Sequence, residues 1–134
     1  MFTFGRDQEK ICAGHYLSNQ KQVDLIGAVI DAVHDLLEDK ISKEALRPVL
    51  EQGFTEGGSG VWEQTGIWLR KLSDEFPEFA TMWIDFADHS QSTVRFRAAC
   101  CLDEMPPHIA RAVNEKLMHD GSKNVRSITD KNAA

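Results

Sequence analysis

The sequence predicts an all-α chain of about eight helices, stacked as antiparallel hairpins. Two observations carry this prediction. Apolar residues recur at helical steps of three and four, and no segment alternates apolar and polar residues over a strand's length. In addition, Val94-Arg95 returns 31 positions later as Val125-Arg126, with a weaker third copy at Val61-Trp62. A period of this size marks α-solenoid architectures, in which a hairpin cannot bury its apolar face alone and stacks on a neighbour.

The elements follow in order. Asp7 to Leu17 reads as a short helix with Ile11, Cys12 and His15 on one side. Gln22 to Asp39 is the strongest helical segment, with Val23, Ile26, Val29, Ile30, Val33, Leu36 and Leu37 lining one face and Asp31, Asp35, Glu38 and Asp39 on a solvated side. Ser42 can cap the next helix, because its hydroxyl accepts a bond from an orphan first-turn N–H. Pro48 is expected to kink that helix. Gly53, Gly57, Gly58 and Gly60 predict a loop from Gly53 to Gly60 with Ser59 as the cap of the helix that follows.

Val61 to Ser73 is then helical. Pro77 suits the first turn of a helix reaching about Ala87, with Phe79, Met82, Trp83 and Phe86 inward. A loop from Asp88 to Ser92 leads into a helix from Thr93 to about Asp103, with Val94, Ala98, Cys101 and Leu102 inside. Pro106-Pro107 ends it and opens another, with Ile109, Ala110, Val113 and Leu117 inward. Asp120-Gly121-Ser122 is the last turn, before a short helix from Asn124. The organisation expected is a single domain over 1–134: an N-terminal helical cap at 1–41, about three hairpins over 42–131 and a frayed tail at 132–134.

The chain has 134 residues and a formal charge of −6. Residues 1–67 hold eleven acids and six bases, so the acidity is concentrated in the first half. That balance argues against binding nucleic acid, which needs clustered Lys and Arg to displace phosphate counterions. No apolar run approaches a bilayer span and no leader is evident, so no membrane partner is expected and the cytoplasm is the expected compartment. Of three cysteines, Cys100 and Cys101 are adjacent, which suits reduced thiols better than a disulfide framework. No histidine or cysteine spacing forms a metal site, and no acid/base pair or nucleophile constellation stands out. The sequence thus predicts no catalytic residue, no metal and no small-molecule cofactor. The glycine-rich segment lacks a phosphate-binding lysine, and Glu56 would repel an anion there.

The loop aspartates Asp88 and Asp120, the pairs Val94-Arg95 and Val125-Arg126, the Ala98-to-Leu102 spacing, and Pro48 and Pro77 together resemble the HEAT-like helical repeat family in its short bacterial form. The likeness covers Phe76 to Thr129 well and Lys43 to Leu72 partly. It implies a right-handed stack of hairpins, with Arg95 and Arg126 bonding loop aspartates and helix ends to tie neighbours together. It also implies a row of equivalent surface positions: Trp62, Gln64, Arg95, Arg97 and Arg126 are the candidate binding residues. Trp62 stands where an arginine is expected, and aromatics of this size near a surface are frequent binding anchors. Trp68 and Trp83 fall at inward spacing and are expected in the core.

The function expected is therefore non-catalytic binding of another protein by an interaction scaffold. The short acidic chain also resembles immunity proteins, which neutralise a toxin by charge and shape. The alternative reading is a nucleic-acid-binding or base-excision protein, since some HEAT-like proteins excise damaged bases.

Overall fold

The computed structural model describes residues 4–132, and all regular structure in it is helical. Eight α-helices run α1 Arg6–Gly14, α2 Gln20–Leu37, α3 Lys43–Glu56, α4 Val61–Glu75, α5 Thr81–Ala87, α6 Ser92–Cys100, α7 Pro107–Leu117 and α8 Lys123–Asn132. Short 3-10 turns at Pro77–Ala80 and Leu102–Glu104 complete the set. No described helix is long and apolar enough to cross a membrane. Most of the tail expected at 132–134 lies outside the described residues. The chain divides into two compact units, 1–71 and 72–134, with the division inside α4.

In the first unit α2 packs on both α1 and α3. Asn19 caps α2 by accepting the Lys21 N–H at 2.8 Å, and Ser42 caps α3 by accepting from Ala45 at 3.1 Å. The periodic face of α2 is the core, with Ile26, Val29, Ile30 and Val33 wholly buried. Asp39 ends this helix at φ 59°, a left-handed conformation that a short polar side chain tolerates, and the Lys40 N–H then closes on the Asp35 carbonyl at 2.8 Å.

The predicted glycine loop is displaced. Helix α3 continues through Pro48 and Gly53 to Glu56, and both Gly53 and Phe54 are buried. A Cβ at Gly53 would lie 2.7 Å from Thr65 Oγ1 and 2.8 Å from Val29 Cγ2, so glycine serves close packing against α2 and α4 rather than chain freedom. What remains of the loop is tied down: Gly58 N–H donates to Gln22 Oε1 at 2.6 Å. The start of α4 is held by Glu63, not Ser59, since the Glu63 carboxylate reaches back to the Gly60 N–H at 2.7 Å. Gly60 takes φ 90°, which favours glycine.

Helix α1 has no buried residue. Arg6 secures it, reaching Asp35 at 2.7 Å, Glu38 at 2.6 Å and Asp31 at 3.4 Å, while Lys10 meets Asp31 at 3.0 Å. The acids read as a solvated side of α2 are in this respect the dock for α1, except Asp39. The hydrogen bond to Asp35, opposed by partial desolvation and aided by the fields of Asp35, Glu38 and Asp31, raises the Arg6 pKa further above its ordinary value. A helix held by partly exposed charge, with no buried side chain of its own, opens readily and is salt-sensitive. In Arg6→Ala, hydrogen-exchange protection of the α1 amides is expected to fall roughly fivefold at low salt, with no change in α5 to α8. Equal protection in variant and parent would refute the dock.

In the second unit α5 packs on α6 and α7, while α6 and α7 both pack on α8. Phe79, Met82, Trp83 and Phe86 are buried as their spacing predicts, as are Val94, Ala98, Cys101, Leu102, Ile109, Val113 and Leu117. Ala110 is half-buried. Two predicted helices are each shorter than expected, because the segment after Pro77 opens as a 3-10 turn before α5 and the end of α6 passes into another at Leu102.

Candidate functional site

Two constellations concentrate polar chemistry, one in each unit. In the second unit, Asp120 lies between two arginines. Arg95 grips its carboxylate with Nε to Oδ2 at 2.8 Å and Nη2 to Oδ1 at 3.3 Å, and its Nη1 donates to the carbonyls of His89 at 2.8 Å and Ser90 at 3.1 Å. Arg126 Nη1 donates to the Asp120 carbonyl at 2.6 Å.

The two loops are bonded alike. His89 Nδ1 accepts from the Gln91 N–H at 3.1 Å, and Asp120 Oδ1 accepts from the Ser122 N–H at 2.8 Å. In each loop the same residue offers its carbonyl to the arginine six positions on. Asp88, grouped with Asp120 in the sequence reading, instead pairs with Lys116.

The Asp120 side chain is only 7% exposed. Burial pushes its pKa up, but the Arg95 hydrogen bond, the Ser122 N–H and the charges of Arg95 and Arg126 outweigh this and hold it below the ordinary carboxylate value. A planar guanidinium can bridge a carboxylate and two carbonyls in a way that lysine cannot. The arrangement is a clasp between the α5–α6 and α7–α8 loops; its donors and acceptors are directed at one another.

In the first unit a groove of 380 Å³ opens between α1 and the start of α4. Its apolar lining includes Tyr16, Leu17 and Trp68, and Glu9 and Glu63 stand among them. Trp68 is buried, with Lys71 Nζ 4.5 Å from the ring centroid, whereas Tyr16 is 92% exposed. Phe4 and Ile11, earlier in the same segment and outside the groove lining, are also exposed. Each carboxylate has one oxygen fixed by a backbone N–H, Glu63 by Gly60 at 2.7 Å and Glu9 by Phe4 at 3.2 Å. Neither forms an ion pair with a described residue.

The five residues singled out from sequence are placed as follows. Trp62 is half-buried, its ring edge-on to Phe54 at 6.0 Å. Gln64 lines the groove and donates to the Ala13 carbonyl at 3.1 Å, joining α4 to α1. Arg95 and Arg126 meet at Asp120, and Arg97 is half-buried on α6. The structure therefore groups Gln64 with the groove, and Arg95 with Arg126 in the clasp.

No spacing in the sequence joins Tyr16, Glu9, Glu63 and Trp68 into a site. The available signal was slight: the chain's only tyrosine, beside His15 in a polar stretch where a core has no use for it. Among the described residues no group of His, Cys, Asp or Glu is arranged to hold a metal ion. Comparison with family models, with curated proteins and with solved structures finds no match to this chain.

Proposed function

We propose that this chain is a non-catalytic protein-binding module. The observation that carries the reading is the groove in which the fully open Tyr16 ring stands with Leu17 and the buried Trp68 around an apolar hollow. Large apolar side chains grouped at a surface are typical of protein interfaces, in which an aromatic anchor and a desolvated pocket supply most of the affinity. The arginines support a scaffold role in the same reading: both are engaged in tying loops, as HEAT-like arginines are expected to be, and the helix contacts of the second unit are compatible with stacked hairpins. The carboxylates at the groove favour a protein over a polyphosphate partner. An inhibitor of the immunity type is a narrower form of the same reading, supported by the acidity of the first 67 residues.

The test is site-specific photocrosslinking in native extract, with a benzophenone amino acid in place of Tyr16. A protein adduct of discrete mass is expected at Tyr16 and none when the same group replaces Asp103. No protein adduct at Tyr16, or an adduct with nucleic acid alone, would overturn the reading.

A further inference from the structure

We infer that the groove between α1 and α4 takes a basic amphipathic segment of a partner protein, with one apolar side chain inserted beside Trp68 and Tyr16 and Lys or Arg residues of the segment paired to Glu9 and Glu63. This rests on the protein-binding reading and adds the chemistry of the partner.

Charge complementarity identifies the occupant. The first unit contains many acids, and three of them are matched: Asp31, Asp35 and Glu38 face Arg6, and Asp31 also faces Lys10. Glu9 and Glu63 form no ion pair with a described residue and line a hollow that also holds Tyr16 and Trp68, whereas the hollow lined by Asp24 and Glu56 has no aromatic side chain. Lys71 lies over the Trp68 ring, with Nζ 4.5 Å from the centroid.

Both carboxylates are also pre-positioned. One oxygen of each is fixed by a main-chain N–H, which leaves the other oxygen to accept from a cation. A side chain held in this way loses little rotamer freedom on binding, so a charged contact there retains more of its energy. An acidic segment would be repelled from both carboxylates, and a wholly polar basic one would leave the apolar hollow unfilled. A segment with apolar and basic residues on adjoining faces satisfies both conditions.

The experiment measures fluorescence anisotropy of a labelled peptide of interspersed leucine and lysine against the full chain, with the Trp68 indole N–H followed by NMR. Binding is expected to perturb the Trp68 resonance and to weaken by about tenfold in the double variant Glu9→Gln/Glu63→Gln. Glutamine still accepts the two backbone N–H bonds, so that variant retains the groove. The charge-matched control Asp24→Asn/Glu56→Gln, on a separate hollow between α2 and α3, is expected to bind as the parent does.

Equal weakening in both double variants would show general attraction to an acidic chain and overturn the inference. So would equal binding of a peptide with glutamate in place of lysine. If Tyr16 captures a protein but the leucine–lysine peptide does not bind, the partner is not basic and this inference fails while the protein-binding reading stands. If neither occurs, both fail.

Discussion

Replacing Arg95 with alanine is expected to lower the unfolding free energy by about 3 kcal/mol, read from denaturant midpoints at unchanged m-value. The magnitude follows from what is left behind. Asp120 is 7% exposed and would lose both guanidinium bonds, while the carbonyls of His89 and Ser90 would lose their donor. A carboxylate stranded in this way costs far more than a surface ion pair, which is worth under about 1 kcal/mol. Arg95→Lys is expected to recover less than half of the loss, since an ammonium cannot serve the carboxylate and both carbonyls in one plane.

The same contact sets an acid dependence. The Asp120 pKa is lowered in the folded chain, so its contribution is complete above the ordinary carboxylate value and is lost as pH falls through the lower, folded value. The gap between parent and Arg95→Ala should therefore narrow below about pH 4, leaving the part supplied by the bonds to the His89 and Ser90 carbonyls. His34 contributes a separate loss at higher pH. Burial, aided by the charge of Arg6, lowers its pKa, so the unfolded chain takes the proton first and stability declines as pH drops below about 6.5 until the folded value is passed. That decline should persist in Arg95→Ala. A variant within about 0.5 kcal/mol of the parent at neutral pH would remove the clasp from any account of stability.

Gly53→Ala provides the second large effect, and here the sign is the test. Helix propensity alone predicts that alanine in the interior of α3 stabilises by about 1 kcal/mol. The packing predicts a net loss of about 2 kcal/mol, because the new methyl would fall against Thr65 and Val29. Neither neighbour yields easily. Both are β-branched, Val29 is 0% and Thr65 1% exposed, and the Thr65 hydroxyl is bonded to the Val61 carbonyl at 2.8 Å. Trimming the obstacle should restore stability, so Gly53→Ala/Val29→Ala is expected to show a favourable coupling of about 1 kcal/mol relative to the sum of the single changes. A stabilised Gly53→Ala would show that the helices do not approach so closely.

These two positions also separate what a linear reading of the chain reaches from what it does not. Helix α2, its apolar face and the Ser42 cap were legible because they depend on residues within a few turns of one another. The inward set around Trp83 and the start of α7 at Pro107 were legible for the same reason. In sequence Gly53 signals a break because its helix propensity is poor, and only the approach of Val29 and Thr65, distant in sequence, makes glycine the residue that fits a helix there. The acids of α2 looked like ordinary solvated charge until Arg6, some 25 to 32 positions earlier, was placed against them.

The candidate site divides in the same way. Arg95 and Asp120 could be recognised as special from the recurrence of Val-Arg, but the bond between them spans 25 positions and its two-point geometry belongs to the fold. The groove was not legible, because nothing local brings Tyr16 and Glu9 to the side of α4 that carries Glu63 and Trp68. Sequence by itself determined which segments are helical and which of their faces are apolar, since periodicity and capping act within one or two turns. Tertiary structure decided which charges are matched and where apolar surface stays open, since both depend on distances between residues that the chain order keeps far apart.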